Sequence, residues 1–450
     1  MARGRKGILI QAGNGPVIGY DETGLRMRLS NETVREIADR LPSPEARRRL
    51  NPMILGDVDA WNVEQTGDWL CFDAKLPSYS ETRRFRKHVT RPGIIAEPPG
   101  RLLGLFSVGG PMRCDHIDAT LAHPAHIVTT DDDIGAVGMG GLEDGETGSG
   151  ATPVRHATLD TLTADAFVGI RRAAGGASPV IYTRCETDSS TSIAAFCAGP
   201  ALRNFDRALG NFCAAAAFFE VPAKLLPITV DYSAEDVLST GSEYLSGLHE
   251  LLDAITGLAA KHNLSQPTFL LPFPAHAAHH KAHFAFSIIS GTHKVIYSGP
   301  ASQFARDPFL RLTPEGLHQH AQLNARVLQE LMSGQGWHCP RLLLAERSGE
   351  KTIRVTTDAT SPLVIAQSAT KSGIALRANG KSVAYASLKI AKDDPQAFDI
   401  TLKAAVPTAV TLIYGEKTAL GLRDSFEGTS FEGRPLHRWA LPAELDVTGC

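Results

Sequence analysis

The apolar and polar positions of this chain change their pattern twice. Between residues 101 and 339, short apolar runs alternate with segments of helical periodicity. The runs that predict buried strands are RLLGLFSV, SPVIYTR, KLLPITVDY, TFLLPF and HKVIYSG. Two predicted helices carry apolar stripes, formed by Leu202, Phe205, Leu209, Phe212 and Ala216 and by Tyr244, Leu248, Leu251, Ile255 and Leu258. Strands that alternate with helices predict an α/β domain with a mainly parallel sheet covered on both faces.

The two flanking sections have other patterns. Residues 1–100 predict a small N-terminal domain, with a helix in RLSNETVREIADRLPSPEARRRL, a strand in GDWLCFDAKL and a linker at AEPPG. From residue 340 to 450, short apolar runs recur at near-regular spacing between turn residues. They are LLLAERSG, TIRVTTD, PLVIAQSA, IALRANG, FDITLKAA and AVTLIYG, and they predict a C-terminal β-sandwich.

Composition narrows the functional classes. The 450 residues are 43% hydrophobic and carry a net charge of −3, which gives no electrostatic basis for binding nucleic acid or an anionic membrane. No apolar run approaches the roughly 18 residues that span a bilayer, and the N-terminal run GILIQAG is too short for a signal peptide. The seven scattered cysteines lack a CxxC pair, so we expect reduced thiols, no zinc site and no cofactor.

The segment IYGEKTALGLRDSFEGTSFEGRPLHRWALPAEL carries the most specific motif. Its motif positions are Tyr414, Leu422, Arg423, Asp424, Gly433, Arg434, Pro435, Leu436 and Trp439. In this segment and in the order of blocks over residues 101–450, the chain resembles the SGNH/GDSL hydrolase superfamily, in particular sialate O-acetylesterase-like proteins of phages and phage-like gene transfer agents. The resemblance implies a flavodoxin-like α/β domain followed by a small β-domain.

The catalytic blocks of that superfamily are altered here. Its nucleophile block is Gly-Gln-Ser, and the best match, GLFSVGG, puts Phe106 at the serine position and Ser107 one residue later. A second match, QAGNGPVIG, puts Gly15 there. Neighbouring residues of a strand point to opposite faces, so a shift of one residue changes where the side chain points.

The remaining blocks show similar losses. Ser189 and Ser190 replace a glycine pair that helps to bind the oxyanion, and Glu235 and Asp236 are the nearest carboxylates of the third block. In DPFLRLTPEG the histidine position holds Arg311, the position of the block's aspartate holds Pro308, and Asp307 is displaced by one. Arginine stays protonated and cannot serve as a general base. His318 follows on a predicted helix as a fallback base, with Thr313 as its N-cap.

Two further clusters have alternative explanations. His276, His280 and His283 share one helical face, with His279 beside them, but without an HExxH motif we expect a polar surface and no metal site. The acidic turn TTDDDIG lacks the spaced ligands of a calcium-binding loop.

The resemblance, together with the altered catalytic blocks, implies one main hypothesis. The chain is expected to be a virion spike or fibre protein that is assembled in a bacterial cytoplasm and binds host capsular polysaccharide without cleaving it. Its ligand groove would contain Phe106, Ser107, Ser189, Ser190, Glu235, Asp307 and Arg311. Residues 1–100 would attach it to other virion proteins, and homo-oligomers are expected. Two alternatives stay open: an active carbohydrate O-acetylesterase with Ser107 as nucleophile and His318 as base, and a purely structural capsid decoration protein.

Overall fold

The computed structural model describes most of the chain and places it in two compact units, Met1–Val58 and Asp59–Cys450. The residues that the structure describes are 7–12, 15–21, 24–27, 30, 54–76, 82–130, 151–187, 192–232, 236, 238–275, 279–288, 293–309, 311–366, 372–407, 409–415 and 420–449. The predicted N-terminal helix, most of the acidic turn TTDDDIG and His276 lie outside these ranges. No described helix is long and apolar enough to cross a bilayer.

The first unit contains an antiparallel sheet whose strands follow each other in the order of the chain. They are β1 (Gly7–Ala12), β2 (Gly15–Asp21) and β3 (Gly24–Met27). Gly15, the second candidate for the nucleophile position, opens β2 opposite Ala12. It therefore belongs to this separate unit and not to the α/β domain.

The second unit begins with another antiparallel sheet, which packs on the α/β domain. Its strands are β4 (Ala60–Thr66), β5 (Trp69–Ala74), β6 (Arg83–His88) and β7 (Ile95–Ala96). From β6, Arg83 donates to the carbonyl of Ser178, and Arg86 donates to the carbonyl of Phe218. The boundary expected at residue 100 thus differs from the observed division at Val58, since residues 60–96 join the larger unit.

The α/β domain follows the chain order that its sequence pattern predicts. Its strands are β8 (Leu102–Gly109), β9 (His116–Ile117), β10 (Ile127–Thr129), β11 (Thr152–Pro153), β12 (Ala157–Thr158), β13 (Val180–Thr187), β14 (Ala223–Leu225), β15 (Ile228–Asp231), β16 (Thr268–Phe273) and β17 (Lys294–Pro300). Its helices are α1 (Leu159–Ala173), α2 (Ile193–Ala198), α3 (Pro200–Phe218), α4 (Gly241–Lys261), α5 (His280–Ile288) and α6 (Pro314–Met332). Short 3₁₀ helices span Pro111–Cys114, Pro124–His126 and Ala301–Gln303.

The central sheet has the strand order β11-β10-β13-β8-β15-β16-β17. In this sheet the strands β10, β13, β8, β15, β16 and β17 run parallel to one another, and β11 pairs antiparallel with β10 at the edge. If β8 is counted first, β13-β8-β15-β16-β17 is the 2-1-3-4-5 order of flavodoxin-like folds. The expected α/β fold class is therefore confirmed.

Helices cover both faces of this sheet. Leu103 and Leu105 of β8 pack with Phe167 of α1 and Leu328 of α6, while Phe106 of β8 packs against α3. The helix ends agree with the sequence: Thr313 caps α6 by accepting a hydrogen bond from the Gly316 amide at 3.1 Å. These contacts fix the orientation of every side chain along β8.

The C-terminal β-domain forms a core of its own. Its strands are β18 (Leu342–Gly349), β19 (Thr352–Thr357), β20 (Leu363–Ile365), β21 (Ile374–Ala378), β22 (Lys381–Ser382), β23 (Tyr385–Ile390), β24 (Ala397–Leu402), β25 (Thr411–Tyr414), β26 (Leu422–Asp424), β27 (Gly428–Thr429), β28 (Pro435–Leu436) and β29 (Ala443–Thr448). The main sheet has the order β22-β21-β25-β29-β18-β19-β24-β23. Strands near its opposite edges, β21 and β24, bury Leu376 and Ile400 in one hydrophobic cluster, so the sheet curls around a common core.

The hairpin of β27 and β28 connects the β-domain to the α/β domain. A Cβ at Gly169 of α1 would lie 2.5 Å from the ring of Phe431, so that ring occupies a notch that only glycine leaves open. The Phe431 amide donates to the side-chain carbonyl of Gln322 on α6 at 2.9 Å. The hairpin is thereby held against both helices.

Candidate functional site

The strand order reverses at β8, and this point of an open α/β sheet is where ligands usually bind. At the carboxyl end of β8, Gly109 lies opposite Thr187 of β13 and Asp231 of β15. A Cβ at Gly109 would lie 2.6 Å from the carbonyl oxygen of Asp231, so the two backbones approach too closely for a side chain. The segments that follow these strands form the candidate site.

A buried cluster of polar side chains lies just below this edge. The Ser107 hydroxyl donates to Asp160 at 2.6 Å, and the Arg113 guanidinium donates to the other oxygen of Asp160 at 2.8 Å. Ser107 is 0% exposed, and both charged side chains are 3% exposed. Burial lowers the pKa of Arg113, but the charges of Asp160, Cys185 and Asp231 and the hydrogen bond to Asp160 together outweigh burial and leave that pKa above its ordinary value. The Ser107 hydroxyl therefore already donates its hydrogen bond to the charged pair of Asp160 and Arg113.

Phe106 lies on the opposite face of the sheet from Ser107. Its ring packs against Tyr182, Phe205 and Phe212 at centroid distances of 5.9, 5.8 and 5.5 Å, and it is 0% exposed. Phe106 is thus a core residue and not a wall of a ligand groove. Ser107, which was also expected in the groove, does not line it either, because its hydroxyl is buried in the protein interior and does not reach the surface. The alternation of side chains along β8 explains both outcomes.

The turn from Asp307 to Arg311 is at the surface, after β17. One carboxylate oxygen of Asp307 accepts hydrogen bonds from the amides of Phe309 and Arg311, at 2.8 and 2.9 Å. The Asp307 amide donates to the Arg311 carbonyl at 2.9 Å. Phe309 is 77% exposed. The turn is therefore closed by its own hydrogen bonds and presents an aromatic ring to solvent.

This turn lies beside the segment that follows β8. Burial raises the pKa of Asp115, Arg311 lowers it and Asp307 raises it, and the net shift is upward. The pKa of the Asp115 carboxyl therefore depends on the charges of both Asp307 and Arg311. The structure thus places Asp307, Phe309 and Arg311 at the carboxyl edge of the sheet, and the part of Asp307 and Arg311 in a ligand groove stays a prediction.

Phe309 was missed in the sequence. The superfamily's blocks assign catalytic positions to its neighbours and none to the phenylalanine between them. An apolar residue two positions after an aspartate in a Pro-containing turn was the available signal, because such turns expose their central side chains.

A groove with both polar and apolar walls lies between α6 and the hairpin of β27 and β28. Its volume is about 210 Å³, and its lining includes the side chains of Gln303, Phe304, His318, Gln319, Gln322, Ser430, Glu432 and Arg434. His318 contacts Glu432 at 2.7 Å, and Arg434 lies 3.7 Å from both Glu315 and Glu432. His318 thus has a carboxylate of the β-domain as its partner, whereas Ser107 has Asp160. The structure does not pair the two fallback catalytic residues with each other.

The remaining expected residues follow β13 and β15. Ser189, Ser190 and Glu235 lie outside the described residues. The buried Asp236 accepts a hydrogen bond from the Ile193 amide at 2.9 Å, beside Ser192, which caps α2. Asp236 therefore binds the backbone at the start of α2.

The histidines near α5 form a buried hydrogen-bonded network. The ring of His283 contacts the hydroxyls of Tyr244 and Tyr297 at 2.9 and 3.0 Å, and His279 stacks on Tyr244 at 4.1 Å. Burial lowers the pKa of His283 to about 3, so the ring is neutral at neutral pH. Across the described residues, no group of three or more His, Cys, Asp or Glu side chains converges in a way that would hold a metal ion.

No protein-family model matches the chain, and no curated protein matches it. Among solved structures, the Arabidopsis thaliana protein AT4G34215 is similar with a TM-score of 0.38 and 13% identity, over 52% of this chain and 99% of that one. The bacterial surface-layer protein SbsC is similar with a TM-score of 0.20. Its N-terminal part gives 10% identity over 48% of this chain and 38% of that structure. Its domains 1–6 give 14% identity over 31% of this chain and 17% of that structure. At these TM-scores, the fold assignment depends on the strand order above.

Proposed function

We propose that this chain is a spike or fibre protein of a phage or phage-like gene transfer agent that binds host surface polysaccharide without cleaving it. The observation that carries the binding part is the exposed ring of Phe309, which is held in a closed turn beside Arg311 at the carboxyl edge of the sheet. The assignment to a virion follows from the resemblance of the C-terminal motif.

The chemistry of this surface fits a sugar. A pyranose ring offers an apolar face of C–H groups and a rim of hydroxyls. The Phe309 ring offers an apolar platform, and Arg311 offers a fork of N–H donors. The groove adds the neutral amides of Gln303 and Gln319 and the guanidinium of Arg434, which is 57% exposed. Few polar groups on an apolar surface are the usual composition of ligand sites.

The state of Ser107 supports binding over hydrolysis. A nucleophilic serine needs an accessible hydroxyl and a base that accepts its proton. The hydroxyl of Ser107 is buried and donates to Asp160, which is neutralised by Arg113. Activation of Ser107 would require this buried pair to separate, so an esterase mechanism through Ser107 is disfavoured.

We assign attachment to the first compact unit, residues 1–58, instead of to the whole of residues 1–100. Residues 59–96 pack on the α/β domain through Arg83 and Arg86, so their removal would damage that domain. Residues 1–58 form a unit of their own, and we assign docking to other virion proteins to this unit. Deletion of residues 1–58 should abolish incorporation into particles and leave polysaccharide binding unchanged. Normal incorporation of the shortened chain would contradict this assignment.

The binding proposal is tested with purified acetylated capsular polysaccharide on a biosensor surface. Phe309→Ala and Arg434→Ala should each weaken binding by roughly ten-fold, since a stacking or charge-assisted contact contributes about 1–2 kcal/mol. Lys381→Ala, at an exposed position of β22, is the matched control and should bind like the wild type. Unchanged binding by both variants would remove the turn and the groove from the proposal.

Hydrolysis is tested separately with the same polysaccharide and with p-nitrophenyl acetate. We expect acetate release at the rate of the uncatalysed reaction from both the wild type and Ser107→Ala. Turnover that disappears in Ser107→Ala would favour the carbohydrate O-acetylesterase alternative.

A further inference from the structure

A second cleft lies where the α/β domain meets the β-domain, away from the turn and the groove. It has a volume of about 340 Å³ and is bordered by α4, α5, β17 and the segment 337–341. The aromatic side chains of Phe286, Tyr297 and Trp337 contribute to its walls. The proposed polysaccharide site uses none of these residues.

The aromatic walls already have their hydrogen-bond partners. The Trp337 indole donates to the carbonyl of Ser298 at 3.1 Å, and the Tyr297 hydroxyl lies within 3.2 Å of the carbonyl of His283. Trp337 and Tyr297 are mostly buried, at 6% and 8% exposure. These rings therefore offer preformed apolar surface to a ligand and need no new polar partner.

Five nitrogen-containing side chains also line the cleft. They are His249, His293, Lys294, His338 and Arg341. Arg341 binds Asp358 at 2.5 Å and the carbonyl of Ser287, so its charge is already neutralised. His338 lies 3.0 Å from Asp358, and the Nε2 atom of His293 lies 2.9 Å from Asp253.

One cation of the lining can bind an anion. Lys294 is exposed, and within the described part of the chain no carboxylate lies within 4 Å of its ammonium group. The Nδ1 atom of His293 has no hydrogen-bond partner among the described residues, but it is fully buried and is therefore closed to a ligand. A cation without a partner beside apolar walls favours a negatively charged organic ligand.

We propose that this cleft binds a small organic carboxylate, with its carboxylate against Lys294 and its carbon skeleton against Phe286 and Trp337. A metal ion does not account for the cleft, because no metal-binding group of three or more side chains occurs in the described ranges.

The test uses the full chain and isothermal titration with D-glucuronate, with glucose as the neutral match and inorganic phosphate as the match without a carbon skeleton. We expect glucuronate to bind at least ten-fold more tightly than either. Lys294→Gln should remove this preference, and Lys381→Gln should keep it.

Two outcomes would overturn the proposal. Phosphate that binds as tightly as glucuronate would show that the apolar walls do not contribute, and glucuronate binding unchanged in Lys294→Gln would place the ligand elsewhere. Phe309→Ala distinguishes the two sites: it should leave glucuronate binding in the cleft unchanged, whatever its effect on the polysaccharide.

Discussion

Two sets of polar residues near the carboxyl edge of the sheet differ in their access to solvent. Ser107, Asp160 and Arg113 bind one another in the interior, whereas Asp307 and Arg311 hold a turn at the surface with Phe309 exposed between them. Both sets contain the residue types that enzymes use. In the buried set both Asp160 oxygens accept hydrogen bonds from within the set, while the Nε and Nη1 atoms of Arg113 have no hydrogen-bond partner among the described residues. The exposed set keeps groups available to a ligand.

The largest expected effect comes from a substitution that breaks the buried set. Asp160→Ala leaves the charge of Arg113 buried with only Asp231 nearby, at 4.0 Å, so we expect a loss of roughly 3–5 kcal/mol in the free energy of unfolding. Urea denaturation followed by circular dichroism measures it. The exposed Asp59→Ala is the control and should change stability by less than about 0.5 kcal/mol. A loss below 1 kcal/mol for Asp160→Ala would show that the pair is solvated.

The next effect concerns two phenylalanines. Phe106→Ala should cost about 3–5 kcal/mol in unfolding free energy, because it opens a cavity among buried rings. Phe309→Ala should cost less than about 0.5 kcal/mol, because its ring is exposed. Equal costs in the denaturation experiment would mean that Phe309 packs on the protein and is not free for a ligand.

A smaller effect is expected for the serine. Ser107→Ala removes one buried hydrogen bond and leaves an oxygen of Asp160 with fewer partners, so we expect a loss of about 1–2 kcal/mol. Thermal unfolding should show it. Polysaccharide binding should remain at the wild-type level, and a loss of binding in a folded Ser107→Ala protein would place this hydroxyl in the ligand site.

The smallest effect is electrostatic. Arg311 lowers the pKa of Asp115, so Arg311→Ala should raise that pKa further. A raised carboxyl pKa contributes stability that is present below the ordinary pKa of aspartate and is lost as pH rises through the raised value. NMR titration of the Asp115 carboxyl measures the shift, with exposed Arg101→Ala as control. An unchanged pKa would place Arg311 too far from Asp115.

Local patterns predicted the elements of the fold. The apolar stripe of α4 is observed with Tyr244, Leu248 and Ile255 buried, and RLLGLFSV forms β8. The alternation of side chains along a strand also predicted that Phe106 and Ser107 point to opposite faces of the sheet. These features depend on neighbours within a few residues, so the sequence determines them directly.

The candidate site is formed by pairs of residues that are far apart in the sequence. Arg113 and Asp160 are 47 positions apart, and His318 and Glu432 are 114 positions apart. Only the packing of α1 against β8, and of the β27–β28 hairpin against α6, brings them together. No spacing rule predicts such contacts, so the groove and the burial of Ser107 became visible only in three dimensions.

The notch at Gly169 has a consequence for the exchange of domains between proteins. Phe431 of the hairpin fits this notch, and the hairpin supplies Glu432 and Arg434 to the groove. A β-domain transplanted from a relative would bring its own hairpin to a notch shaped for this one. A stable exchange would therefore require α1, α6 and the hairpin to be inherited together, and not the β-domain as an independent unit.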